Sequence, residues 1–165
     1  MLNLYENDKI EGWMTHLELL FLYEQAQKMD TIAELGSYQG RSTFALCSGC
    51  NGKVFAIDNF SMTGELPGGR NSNGRLSLEK NVGHFNNIEI LEGDSASFLR
   101  DVDMVFIDAD HEYESVLKDI QAWLPRTKKL LCGHDWDWEG VRKAVSETIG
   151  KPDEIIESIW IKWTK

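Results

Sequence analysis

Two rhythms of apolar and polar residues alternate along the chain. Leu19, Leu22, Tyr23 and Ala26 recur at i, i+3, i+4 and i+7, the spacing of one helix face. The preceding Thr15-His16-Leu17-Glu18 is a capping box, with threonine at the N-cap and glutamate three residues on, so a helix is predicted from Thr15 to about Met29. Short continuous apolar runs follow: Thr31-Ile32-Ala33, Val54-Phe55-Ala56-Ile57, Ile88-Glu89-Ile90-Leu91, Met104-Val105-Phe106-Ile107 and Leu130-Leu131-Cys132. Such runs suit strands buried on both faces.

Helical stripes separate these strands. They lie at Phe44-Ala45-Leu46-Cys47, at about residues 76–85, at Tyr113, Val116, Leu117, Ile120 and Leu124, and at Val141, Ala144, Val145 and Ile149. Gly150 and Pro152 end the last helix. The terminal segments Glu154-Ile155-Ile156 and Ile159-Trp160-Ile161-Lys162-Trp163 alternate like a half-exposed strand pair and predict an edge hairpin. Strands alternating with helices imply an α/β fold with a parallel sheet and right-handed crossovers. A helical segment over residues 1–30 and a core over 31–165 are expected to form a single domain. Residues 59–74, rich in Gly, Ser and Asn and containing Pro67-Gly68-Gly69-Arg70, read as a long loop that could close over a ligand.

Composition narrows the partners. With 17 Lys plus Arg against 27 Asp plus Glu, the 165-residue chain carries a formal charge of −10. That disfavours nucleic acid, whose partners usually present a basic face. Met1-Leu2-Asn3-Leu4-Tyr5-Glu6 lacks a basic-then-apolar leader pattern, and the densest apolar run, residues 19–23, is too short for a bilayer span, so a cytoplasmic protein with no membrane partner is expected. Cys47-Ser48-Gly49-Cys50 has C-x-x-C spacing, but only Cys132 could join it and no histidine is near. Ordinary buried thiols are the expected reading.

The chemistry gathers at the strand ends. Glu34, Asp58, Asp94, Asp108 and Asp135 each stand at or next to the end of a central strand, and in an open parallel sheet those ends share the ligand-binding edge. Carboxylates packed together repel one another and raise each other's pKa unless cations or donors compensate. After the first strand comes Glu34-Leu35-Gly36-Ser37-Tyr38-Gln39-Gly40-Arg41-Ser42-Thr43, a glycine turn opening a helix. Its glycines permit a sharp turn and close approach of a ligand. It is not the dinucleotide fingerprint G-x-G-x-x-G, because Tyr38 holds the place of the second glycine.

That E-x-G-x-x-x-G-x-S-T stretch resembles motif I of the class I S-adenosylmethionine (SAM) methyltransferases, in the form found in small-molecule and sugar O-methyltransferases related to macrocin O-methyltransferase. Val105-Phe106-Ile107-Asp108-Ala109-Asp110-His111-Glu112-Tyr113 resembles the family's D-x-D-H-x-Y block, and Leu130-Leu131-Cys132-Gly133-His134-Asp135 its later H-D block. The resemblance covers about residues 32–145. It implies a Rossmann-like three-layer sandwich whose mostly parallel seven-stranded sheet ends in an antiparallel C-terminal edge hairpin.

The resemblance also implies roles. Gly36, Ser37, Tyr38 and Gly40 would follow the cofactor's amino-acid part, with Glu34 holding its ammonium and Ser42 and Thr43 at the helix start. Asp58 would take the ribose, with Asn59 a further cofactor contact beside it, and Asp94 and Ser95 the adenine edge. Ser95 could also cap a short helix through Phe98-Leu99. Asp108, beside the cofactor, joins His134 and Asp135 as catalytic candidates: His134 or Asp108 as base, with or without Mg²⁺ or another divalent cation held by the same three residues. Such a mixed set suits Mg²⁺ less well than an all-oxygen one. Asp110, His111 and Trp136 are candidates for the acceptor pocket, with Trp138 beside them; Asp110 and His111 could instead cap the following helix, and the two tryptophans could equally pack in the core or at an interface. The expected reaction is methyl transfer to a hydroxyl of a small molecule or sugar. The 59–74 loop or a second copy of the chain would cover the acceptor. A non-catalytic SAM-binding domain and an NAD-binding oxidoreductase are the alternatives.

Overall fold

A computed structural model describes residues 2–61, 64–66, 70–72 and 74–164. The N-terminal segment forms a short helix α1 (Leu4–Asn7) and the longer α2 (His16–Ala26). The capping box is present: Glu18 accepts from the Thr15 backbone N–H at 2.9 Å, while Thr15 Oγ1 accepts from Glu18 N–H at 3.3 Å. The alternating part then runs β1 (Thr31–Leu35), α3 (Arg41–Gly49) and β2 (Lys53–Asp58). Two short strands follow, β3 (Gly64–Leu66) and β4 (Arg70–Ser72), and then α4 (Arg75–Val82) and β5 (Ile88–Glu92). The C-terminal half comprises β6 (Val102–Ile107), α5 (Tyr113–Trp123), β7 (Thr127–Gly133), α6 (Glu139–Ile149), β8 (Glu154–Ile156) and β9 (Ile159–Trp163).

Seven strands form one sheet in the order β5-β2-β1-β6-β7-β9-β8. The first five are parallel, and β9 pairs antiparallel with both β7 and β8. Alternate side chains of each strand point to opposite faces. Thus Met104 and Phe106 of β6 join the cluster under α2, α3 and α4, while Val105 and Ile107 join the one under α5 and α6. This is the expected three-layer sandwich. No helix among the described residues is long and apolar enough to cross a membrane.

Three local expectations change. β9 lies inside the sheet, between β7 and β8, so Ile159, Trp160 and Ile161 are all buried rather than alternately exposed. Only β8 is an edge. Within the stretch read as a loop, β3 and β4 pair antiparallel as a small separate ribbon, while Pro67, Gly68 and Gly69 lie outside the described residues. Asp94 rather than Ser95 caps the 3-10 turn Ser95–Phe98, accepting from Ala96 N–H at 2.9 Å. Cys47, Cys50 and Cys132 are free and buried, and burial pushes all three thiols up. They are inert side chains of the core.

Candidate active site

The turns that leave the strands lie side by side because the sheet's hydrogen bonding continues into them. Gly36 N–H donates to Ile57 O at 2.8 Å, Asp108 N–H to Leu35 O at 2.8 Å, and His134 N–H to Ile107 O at 2.9 Å. Gly36 stands at φ +85°, and a Cβ on it would meet the Asp108 carbonyl oxygen at 2.2 Å. Glycine is needed there to let the first turn pass the end of β6. Asp58 organises the same turn from below. One carboxylate oxygen accepts the N–H groups of Ser37 and Tyr38 at 2.8 and 2.9 Å, and the other accepts Phe60 N–H at 2.7 Å.

A cavity of about 490 Å³ opens over these turns, and Gly36, Tyr38, Asp58, Asn59, Asp94, Ser95 and Asp108 line it. These seven cofactor candidates are therefore brought together. Asp94 and Ser95 already have partners: Asp94 pairs with Lys118 at 2.8 Å, and the Ser95 hydroxyl donates to Asp119. Asp110 also faces this cavity, yet its carboxylate accepts from His111 N–H, Glu112 N–H and the Ser115 hydroxyl at 2.7, 3.2 and 2.7 Å. It holds the turn that leads into α5, whose N-cap residue, Glu112, makes no side-chain cap bond.

Glu34 does not line the cavity. It lies one residue before the end of β1, so strand parity turns its side chain under α3 instead of along the rim. There it is fully buried and accepts the hydroxyls of Ser37, Ser42 and Thr43 at 2.9, 2.6 and 2.5 Å. Burial raises its pKa to about 7 against the lowering effect of those hydroxyls, with the charge of Asp58 adding to the rise. Thr43 and Gly40 lie outside the cavity too; a Cβ on Gly40 would meet Leu78 Cδ1 at 2.8 Å. These residues brace the turn from behind.

A second cavity of about 390 Å³ adjoins the first, sharing Gly36, Tyr38, Asp108, Ala109 and His111 with it. Ser37, Ser42, His134 and Asp135 face this second space, as does the N-terminal segment through Glu11, Trp13 and Met14. Its walls are aromatic: Trp13 lies 5.4 Å from Tyr38 between ring centroids, and Trp138 stacks on His111 at 4.8 Å. Of the two tryptophans considered for the pocket, Trp136 lines neither cavity. It packs part-buried against the core beneath α5 and α6, and its backbone N–H donates to Ser158 O at 3.0 Å. Trp138, two residues on, takes the pocket position.

Three carboxylates surround one imidazole at the floor. His134 Nδ1 lies 3.2 Å from Asp135 Oδ1 and 3.6 Å from Asp108 Oδ1, while Nε2 meets Glu18 Oε1 at 3.1 Å. Burial alone would lower the His134 pKa. The hydrogen bonds to Asp135 and Glu18 and the charge of Asp108 outweigh it and raise the value to about 10. A ring protonated at neutral pH is a cation rather than a base. Burial pushes Asp108 well above the ordinary carboxylate range; His134 opposes the rise, and Asp135, Glu34 and Glu18 reinforce it. Partial burial would raise Asp135 too, but the hydrogen bond and charge of His134, with help from His111 at 2.8 Å, hold it low.

Asp108, His134 and Asp135 offer ligand atoms within 4.8 Å of one another, so the set fits a divalent ion. Its imidazole nitrogen suits an ion of the zinc or manganese kind better than Mg²⁺. Glu18 was legible only as a helix cap; 116 positions separate it from His134, and no local pattern links the two.

A family model described as a methyltransferase domain matches residues 33–136, well over half of the chain. The chain belongs to that family. Its fold is that of the class I methyltransferases. An O-methyltransferase from Bacillus cereus, solved with S-adenosylhomocysteine (SAH), superposes with a TM-score of 0.72 at 16% identity, covering 98% of this methyltransferase and 88% of that chain. A SAM-dependent O-methyltransferase from Thermotoga maritima gives 0.70 at 16% identity, over 98% and 69% of the two chains. The O-methyltransferase TomG from Streptomyces achromogenes, involved in tomaymycin synthesis and solved with SAM, gives 0.64 at 14% identity over 86% and 71%. No curated protein matches the chain.

Proposed function

We propose that this methyltransferase moves the methyl group of SAM to a hydroxyl of a small, uncharged acceptor, a sugar or a phenol. The observation that carries the reading is the meeting of two cavities at Asp108, one rimmed by acids and the other walled by aromatic rings. SAM would occupy the first, with its ribose hydroxyls on the remaining lone pairs of Asp58 and its adenine toward Asn59, Asp94 and Ser95. The acceptor would stack in the second, between the Trp13–Tyr38 and His111–Trp138 pairs. The helical segment 1–30 and the core 31–165 act as one unit in this reading, since both supply walls to the acceptor space.

The reaction is a displacement in line. The acceptor oxygen attacks the methyl carbon, the carbon–sulfur bond breaks, and the sulfonium leaves as a neutral thioether. Holding oxygen, methyl and sulfur in line can supply about 7–11 kcal/mol. The acceptor proton passes to Asp108, whose proton affinity burial raises above that of an ordinary carboxylate. His134 stays protonated and keeps Asp108 and Asp135 from repelling one another. A divalent ion, when bound, would polarise the acceptor hydroxyl in place of the proton on His134: Asp108 and Asp135 would hold it, and Nδ1 of His134 would join them only after giving up that proton.

Acceptor charge follows from the lining. Arg41 donates to the carbonyls of Met14, Asn7 and Ile10 and pairs with Asp8 at 2.9 Å, and His111 and His134 are held by carboxylates. Each described basic side chain of the second cavity is therefore already engaged, and an anionic acceptor would meet acids instead. With labelled SAM, catechol and an alkyl glycoside should accept methyl groups. For 3,4-dihydroxybenzoate kcat/KM should be about tenfold lower or worse than for catechol, since about 1.4 kcal/mol of unpaired charge suffices for that factor. SAM binding without methylation of any neutral hydroxyl compound would instead favour a non-catalytic SAM-binding domain.

A further inference from the structure

We propose that Glu18 is a positioning residue of this site, fixing the His134 ring so that Nδ1 faces Asp108 and Asp135. Glu18 is 1% exposed and lies on α2, before the stretch that the family model matches. Three N–H groups converge on its carboxylate. Thr15 N–H reaches Oε2 at 2.9 Å, and Ser158 N–H and His134 Nε2 reach Oε1 at 3.0 and 3.1 Å. A carboxylate only accepts, so the ring must donate from Nε2. That bond fixes which way the imidazole points, and Nδ1 is left 3.2 Å from Asp135 and 3.6 Å from Asp108. A carboxylate behind a histidine sets ring orientation and tautomer in this way wherever the front nitrogen must work.

The arrangement ties the site to both flanks of the family core. Glu18 comes from the N-terminal segment, and Ser158 lies in the turn between β8 and β9, so one carboxylate joins both to the end of β7. Only the interpretation of the front of the ring as the reacting side rests on the proposed methyl transfer. The orientation itself can be measured without an acceptor.

Spectra of protein labelled with ¹⁵N-histidine, assigned with a His134→Asn variant, read it directly. In the unsubstituted protein the His134 Nε2–H should appear as a resonance protected from solvent exchange. Glu18→Met keeps the volume but accepts nothing, and it should abolish that protection. Glu18→Gln retains a carbonyl acceptor and should restore it. Thr15→Ala weakens the helix cap yet leaves Glu18 on the ring, so the resonance should persist. On a neutral acceptor, Glu18→Met should lower kcat about 10–100-fold with KM for SAM unchanged. An unprotonated or freely exchanging Nε2 in the unsubstituted protein would overturn the proposal, whether or not any variant folds. Equal effects of Thr15→Ala and Glu18→Met on the resonance would do the same, leaving Glu18 as a cap and nothing more. A failure of methyl transfer alone would count against the donor and acceptor assignment and leave the ring spectrum as it is.

Discussion

Asp108→Asn leaves SAH bound and lowers methyl transfer about 10²–10⁴-fold, the range that a positioned base contributes. Asparagine keeps the shape and the hydrogen-bonding capacity of the side chain where the two cavities meet, but it cannot take up the acceptor proton. His134 cannot replace it, because the ring already carries a proton until about pH 10. The pH profile separates the two groups. In the unsubstituted enzyme the rate should climb as Asp108, raised by burial, loses its proton, and should fall as His134 loses its charge near pH 10. Asp108→Asn should erase the rising limb. Turnover measured beside calorimetric SAH affinity checks this, and a variant with normal turnover would remove Asp108 from the mechanism.

Asp58→Ala should cost the enzyme its cofactor: a loss of SAH affinity of about 100-fold or more. Hydrogen bonds to a charged group are worth about 1.5–3 kcal/mol each, and two ribose hydroxyls on one carboxylate reach that factor at the low end. The backbone adds to the effect, since Asp58 also accepts the N–H groups of Ser37, Tyr38 and Phe60. Without it the glycine turn loses the acceptor that holds it open. Titration calorimetry on protein with an unchanged circular dichroism spectrum is the check. An affinity within a factor of about three of the unsubstituted enzyme would mean that Asp58 shapes the turn without touching the cofactor.

Much of this was legible because the strands are short apolar runs that each end in an acid, and a parallel sheet sends all those ends to one edge. Asp58, Asp94, Asp108 and Asp135 reached the rim for that reason. Glu34 did not, because it sits one position short of its strand's end and the alternation of side chains sends it beneath α3. Counting parity back from Gly36 would have shown it. The hydrophobic pattern of β9 suggested a half-exposed strand, whereas insertion between β7 and β8 buries it; strand order is set by packing that no local window contains. Trp136 and Trp138 divide between core and cavity, and two tryptophans two residues apart carry no local sign of which goes where. Glu18 was visible only in its local role, as the capping-box acid, because its partner His134 comes from the turn after β7, 116 positions along the chain.

A crystal structure of the SAH complex tests the division of the site most directly. SAH should fill the 490 Å³ cavity with its ribose on Asp58 and its sulfur turned toward Asp108, leaving the space walled by Trp13 and Trp138 for the acceptor. SAH lying among those tryptophans, or bound away from Asp58 altogether, would contradict the account.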